Sequence, residues 1–246
     1  MKTFVINLVE RPDRKKFMQD QLNNSNLNYQ FIEAVDGRTL SNDEINSITL
    51  NFHDSYLTRG EVGCALSHLK AYKKIVDENI DMALILEDDA VLPSNLSSIA
   101  HEIESIDKKN NPNIYLLSDV FSYIKNSPLT KNIYRINDAT KAHGYIINKL
   151  AAKRLLDKLY PIRYEADMWT VFNFFNYANI YCVQPHVINV VGDGDKEDSN
   201  LEIERSLFVT KRYKQRRKQM KLEPYYQFYR LKDVFFRKKF LTTVRN

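Results

Sequence analysis

Ala83-Leu84-Ile85-Leu86-Glu87-Asp88-Asp89-Ala90-Val91-Leu92 sets three adjacent carboxylates inside an apolar run. The run is too short to cross a membrane, and Ala83 to Leu86 reads as a buried strand that ends in acid. An unpaired carboxylate taken out of water costs several kcal/mol or takes up a proton, so a cation must sit beside Glu87-Asp88-Asp89. In an α/β sheet the strand carboxyl ends face the ligand crevice. Side-chain alternation then turns Glu87 and Asp89 to one side and Asp88 to the other. Two oxygen donors on one side suit a hard divalent ion that also holds phosphate, as Mg²⁺ or Mn²⁺ does. Taken alone, the triplet reads first as a polar strand-to-loop boundary with solvated acids and no role, and what favours the metal lies elsewhere in the chain.

Outward from this stretch, strand and helix patterns alternate. Residues 3–9 read as a strand, Glu10 to Arg14 as a turn, and Phe17, Met18 and Leu22 mark one face of a helix before a second strand from Tyr29 to Val35 closes at Asp36-Gly37. That order predicts a parallel βαβ unit. Arg11 and Arg14 fall at the end of its first strand, where they hold a phosphate or are plain solvated charges. Ser41 with Glu44 has capping-box spacing for a helix over 41–50. Leu57 to His68 then leads into a helix reaching about Val76. Gly60 and Gly63 allow close backbone approach there, and a helix amino terminus offers N–H groups to an anion. No Gly-Lys-Ser/Thr follows, so this is not a Walker loop. Cys64 reads as a small buried hydrophobe and His68 as a packing histidine. Further on, the pattern gives a helix over 99–106, a strand over 114–117 ending at Ser118-Asp119, a strand over 142–147, a helix over 151–160 stopped by Pro161, and a last strand over 181–191. The expected fold is α/β with a mixed, mainly parallel sheet.

The chain of 246 residues is 43% apolar, enough for a proper core in one large or two small domains. Cys64 and Cys182 are its two cysteines, which excludes a disulfide framework and points to a reducing compartment. The amino terminus reads as a first strand rather than a signal peptide. No run approaches the roughly 18 apolar residues of a membrane span. Net charge is +5, unevenly distributed: residues 205–246 hold 14 Lys and Arg against Glu223 and Asp233, while residues 1–204 are acidic. We therefore expect a body over 1–204 and a basic, helical tail over 205–246. The tail interleaves Lys and Arg with Phe208, Tyr213, Tyr225, Tyr226, Phe228, Tyr229, Phe235, Phe236 and Phe240. That composition fits an anionic membrane surface, and a nucleic-acid partner would look similar.

Glu165 and Asp167 stand beside Trp169 and precede Phe172, Phe174, Phe175 and Tyr177. Aromatic faces and carboxylates together hold sugars, whose C–H faces stack while their hydroxyls need acceptors. The acidic loop from Gly192 to Asn200 is inert, or closes over a metal and substrate.

Several stretches together resemble the bacterial lipooligosaccharide galactosyltransferases of glycosyltransferase family 25. They are Ile6-Asn7-Leu8 with Arg11 and Arg14, Ala34-Val35-Asp36-Gly37, Gly60-Glu61-Val62-Gly63-Cys64-Ala65-Leu66-Ser67-His68, Leu86-Glu87-Asp88-Asp89, and Gly144-Tyr145-Ile146-Ile147 with Ala151 to Leu156. The matches keep the family's order over most of residues 1–160, and the basic tail is not among them. The resemblance implies a GT-A fold: a Rossmann-like nucleotide-sugar domain whose acidic motif holds Mn²⁺ or Mg²⁺ against the diphosphate of a UDP-sugar, galactose being the family's sugar. Glu87 and Asp89 would then hold the metal, with Asp88 adjoining. Starting on Glu departs from the common Asp-any-Asp form and leaves Glu87 on metal or ribose. Asn7, Arg11, Asp36, Arg59, Glu87 and Asp88 would contact nucleotide or phosphate. His186, Asp193 or Asp195 would complete the metal shell. An inverting displacement needs a base on the face opposite the diphosphate. Asp167 is the first candidate, Glu165 the second and Asp119 the third. A lipopolysaccharide or lipooligosaccharide acceptor would place the protein in the cytoplasm, peripheral at the inner face of the membrane. Two other readings remain: a metal-dependent nucleotidyl or phosphoryl transferase, and a non-enzymatic nucleic-acid- or membrane-binding protein using the tail.

Overall fold

A computed structural model of the chain describes residues 1–191, 209–240 and 243–245. Its elements begin with β1 (Lys2–Asn7), α1 (Pro12–Leu22) and β2 (Asn28–Glu33), then a 3₁₀ turn (Gly37–Thr39) and helices α2 (Asn42–Ile48), α3 (Phe52–Ser55) and α4 (Arg59–Asp77). The acidic strand β3 (Met82–Glu87) follows, then β4 (Ala90–Val91), α5 (Leu96–Ile106), β5 (Asn113–Leu116), β6 (Ser122–Thr130), β7 (Ile133–Asp138) and β8 (Gly144–Asn148). Next come α6 (Lys149–Leu159), α7 (Trp169–Phe174), β9 (Asn179–Val183) and β10 (Asn189–Val190), with α8 (Val209–Leu222), α9 (Tyr226–Phe240) and β11 (Thr243–Arg245) last.

One mixed sheet runs in the order β11-β6-β7-β9-β5-β8-β3-β1-β2. Pairings β1–β2, β1–β3 and β5–β9 are parallel and the other five antiparallel, so β1, β2, β3, β5, β6 and β9 point one way and β7, β8 and β11 the other. This is an α/β fold of Rossmann-like build. The chain leaves β1 through α1 to β2 on one side and returns through α4 to β3 on the other. β1 is thus a topological switch point, and the crevice beyond the carboxyl ends of β1 and β3 is where such sheets take ligands.

Alternation along β3 fills both layers. Ala83 and Ile85 join Phe4, Leu69, Tyr72, Leu155 and Trp169 on the α4–α6 face, while Met82, Leu84 and Leu86 join Val5, Met18, Leu22 and Ile103 on the α1–α5 face. Full burial of such an aliphatic side chain contributes about 1.5–3 kcal/mol. The same alternation sends Glu87 to the α4 face.

The helix starts follow local chemistry. Pro12 opens α1, where its missing N–H costs nothing. Ser41 with Glu44 and Thr58 with Glu61 form reciprocal capping boxes on α2 and α4. The Thr58 box answers the expectation of an anion at the α4 amino terminus, because Glu61 itself fills the place. Gly63 approaches the backbone of Gly37 and Val35, so its close contact is with protein.

Two elements differ from the sequence reading. The expected strand over 181–191 breaks at Pro185, which cannot donate to a ladder: β9 stays in the main sheet and β10 pairs with β4. The β6–β7 pair was not legible, because polar Lys125, Asn126 and Ser127 with Pro128 interrupt the alternation, and its register is shifted at those positions. The basic segment forms α8 and α9, of which Tyr226 and Tyr229 pack on Phe174 and Phe175. No helix among the described residues is long and apolar enough to cross a membrane.

Candidate active site

Strand β3 delivers Glu87 at its last position, and Asp88 and Asp89 follow in a turn toward β4. Because β8 runs antiparallel to β3 with Leu86 opposite Gly144, the start of β8 lies beside the acidic end, and Glu87 N donates to His143 O at 3.0 Å. His143 Nδ1 is 3.0 Å from Glu87 Oε2 and 3.3 Å from Asp89 Oδ1. From α4, His68 Nε2 lies 3.2 Å from Glu87 Oε1, and its Nδ1 is 2.7 Å from the Tyr145 hydroxyl. Asp88 turns to β1: Asn7 Nδ2 donates to its Oδ2 at 2.8 Å, and Arg14 Nη1 reaches its Oδ1 at 3.0 Å and Asp89 Oδ2 at 3.4 Å. The cations required by the strand-end triplet, of which Asp88 is buried and Glu87 and Asp89 are half-buried, are thus His143 and Arg14.

Burial works against the Glu87 carboxylate, yet hydrogen bonds from His143 and His68 overcome it and hold its pKa well below the carboxylate range. His143 shows the reciprocal effect: burial opposes its charge, but bonds to Asp89 and Glu87 push its pKa up to about 10. Asp88 is raised by burial, with Asn7 and Arg14 pulling the other way. A proton on His143 therefore joins two carboxylates at the strand end.

Glu87, Asp89 and His143 each offer a ligand atom within 4.8 Å of the others. Two carboxylates and an imidazole fit a divalent ion of the Mn²⁺ type, which would take the position of the His143 proton.

The other expected residues divide. Arg11 pairs with Asp13 at the start of α1, at 2.8 and 3.0 Å, while Arg14 one turn on takes the triplet. Asp36 accepts from Arg38 and caps the 3₁₀ turn, and the Arg38 bonds hold its pKa low. Arg59 donates to Leu40 O and Asn42 Oδ1. Asp167 Oδ2 accepts from Lys141 N at 3.1 Å, and Asp119 holds Lys141 Nζ at 2.9 Å, so both border the loop leading to His143. Glu165 is buried beneath α8, with Arg216 at 2.5 Å and Arg212 at 3.7 Å. His186 bonds Asn189 at 3.0 Å, and Asp193 and Asp195 lie outside the described residues. His143 escaped the sequence reading; its signal was the position just before Gly144-Tyr145-Ile146-Ile147, meaningful only once β8 lies against β3.

With this geometry in hand, residues 1–170 match the family model described as "Glycosyltransferase family 25 (LPS biosynthesis protein)". The chain belongs to glycosyltransferase family 25. This family member is 28% identical over 188 residues to procollagen galactosyltransferase 1-A of Xenopus laevis, covering 66% of this chain and 31% of that protein. It is 27% identical over 223 residues to the procollagen lysyl hydroxylase and glycosyltransferase of Acanthamoeba polyphaga mimivirus, covering 78% of this chain and 25% of that one. A third relative, 32% identical over 114 residues (42% of this chain, 19% of that one), is the probable inactive glycosyltransferase 25 family member 3 of Bos taurus. The chain spans less than a third of the length of these curated relatives. Since the family includes a member described as inactive, activity must be argued from the site.

Proposed function

We propose that this family member transfers a hexose, galactose by the family's pattern, from a UDP-sugar to a hydroxyl of a saccharide acceptor. The supporting observation is the convergence of Glu87, Asp89 and His143 at the switch-point crevice, with Arg14 alongside. In this reading the domain is of GT-A type.

Glu87, Asp89 and His143 hold the divalent ion, Mn²⁺ or Mg²⁺, which when bound supplies positive charge to the diphosphate leaving group. Asn7 fixes the Asp88 carboxyl, and Arg14 bridges Asp88 and Asp89 and adds a second positive charge at the crevice. Asp167 is the base: Lys141 N anchors its Oδ2, and its Oδ1 has no hydrogen bond among the described residues, so it is placed to take the acceptor proton. Glu165 is a poorer base, because it is buried with Arg216 and Arg212 both drawn to its Oε1. The acceptor we favour is a lipid-linked saccharide of lipopolysaccharide type at the cytoplasmic face of the membrane. Exposed Phe228, Leu231 and Val234 stand on α9 with exposed Arg230 and Lys232, and such a face suits an anionic bilayer surface.

Thermal unfolding with UDP-galactose, with and without Mn²⁺, tests the donor site. At about a hundred times the dissociation constant a ligand adds roughly 2.7 kcal/mol. The shift is expected to need metal and nucleotide sugar together and to vanish in Asp89→Asn. Stabilisation by nucleoside triphosphates with no sugar release would instead favour a nucleotidyl or phosphoryl transferase. Asp167→Asn should keep the ligand-induced shift and lose about 10²–10⁴-fold in turnover, the usual contribution of a general base. Full turnover in that variant removes Asp167 from the mechanism.

A further inference from the structure

His68 stands at the carboxylate oxygen of Glu87 other than the one His143 meets, and Cys64 Sγ, a His68 ring nitrogen and a Glu87 oxygen lie within 4.8 Å of one another. Cys64 and His68 are four residues apart on α4, so they project from one helix face toward the end of β3. His68 is 1% exposed, and its orientation is fixed from behind. Its Nδ1 is 2.7 Å from the Tyr145 hydroxyl, and that hydroxyl is 2.9 Å from the Tyr72 hydroxyl, both tyrosines being fully buried. An imidazole held through one nitrogen, with the other on a carboxylate oxygen and a thiol close by, is the arrangement that orients a metal-ligating histidine. Cys64 is partly buried and packs against the core, and the sugar-transfer chemistry above assigns its sulfur no role.

We infer that Cys64, His68 and Glu87 form a second cation site, selective for a soft or borderline ion of the Zn²⁺ class and distinct from the hard-cation group at Glu87, Asp89 and His143. A thiolate and an imidazole favour Zn²⁺ over Mg²⁺ or Mn²⁺, which prefer oxygen. Binding releases the Cys64 thiol proton to solvent, leaving the thiolate as ligand. Glu87 presents Oε1 to His68 and Oε2 to His143, so one carboxylate serves both groups.

Cobalt(II), a spectroscopic stand-in for Zn²⁺, provides the test on the full, metal-stripped chain. Titration should produce a thiolate-to-cobalt charge-transfer band in the near ultraviolet, which added Zn²⁺ abolishes. The band is expected to persist in Cys182→Ser and to be lost in both Cys64→Ser and Cys64→Ala. Tyr145→Phe, which removes only the orienting hydroxyl, should weaken cobalt binding about tenfold. Asp89→Asn separates the two sites: it should keep the band while losing Mn²⁺-dependent stabilisation by UDP-galactose. Absence of the band from the natural protein, or its survival in folded Cys64→Ser, overturns the assignment, with circular dichroism checking that each variant is folded.

Discussion

Glu87 is where the apolar strand meets the charge, and its two oxygens face two histidines carried by different elements. The pH response follows from those contacts. His143 has its pKa raised from an ordinary 6.5 to about 10, so its pairing with Glu87 and Asp89 contributes fully below about pH 6.5 and is lost as pH rises through about 10. Glu87 is lowered, so its contribution is present above its ordinary 4.5 and lost as pH falls toward the depressed value. Urea unfolding of the metal-stripped protein should therefore show a loss of stability between about pH 6.5 and 10. His143→Gln should abolish that alkaline slope, and an unchanged slope would assign it to another group. Saturating Mn²⁺ should flatten it too, because the ion takes the place of the proton, and chelation should restore it.

At the scale of elements, α4 is clamped at both its sides. The backbone of Gly63 meets Gly37 so closely that a Cβ at Gly63 would stand 2.4 Å from Gly37 N and from Val35 O. Neither backbone atom can step aside cheaply, so Gly63→Ala should push α4 outward and cost at least about 1–3 kcal/mol, read by denaturant midpoint. From the other end of the chain, Arg212 of α8 donates to both oxygens of Glu61 at 2.6 and 2.9 Å. Arg216 joins it on Glu165, and Glu223 receives Arg163, Tyr164 and Tyr177. Glu61 is 2% exposed and Glu165 is 7% exposed, so the basic helix supplies the counter-charges of buried acids in the body. Losing one partner of a buried pair costs about 3–5 kcal/mol, and Arg212→Ala is expected in that range. A double-mutant cycle with Glu61→Gln measures the coupling, and a value near zero would mean the pair is merely adjacent.

For the whole molecule, those ion pairs change how membrane association has to be tested. Deleting residues 205–246 would strip Glu61 and Glu165 of their arginines, so a truncated chain would report folding damage as well as lost binding. Substituting the outward side chains avoids this. Phe228→Ser with Leu231→Ser should lower co-sedimentation with anionic vesicles while leaving the unfolding midpoint within about 0.5 kcal/mol, as surface changes usually do. Arg212→Ala should do the reverse. Equal vesicle binding by the natural protein and the Phe228/Leu231 variant would end the membrane reading of this face.

The sequence by itself determined the local elements of the body, because periodicity and capping are local properties: β1, α1, β2, α2, α4, β3 and α6 all lie where their patterns predict. It also determined that the acid-ended strand required cations, since the cost of burying charge does not depend on topology. Which cations came together was a matter of strand order. His143 reaches Glu87 only because β8 is inserted antiparallel beside β3, and Asn7 reaches Asp88 only because β1 is the other neighbour. Likewise, a run of Lys and Arg reads as a solvated tail until the fold sets Glu61 and Glu165 opposite it. Pairings between residues 74 to 151 positions apart, such as Arg14 with Asp88 and Arg212 with Glu61, leave no mark on local sequence pattern. The tertiary structure alone decides them, because only packing the sheet and its helices brings those side chains within reach.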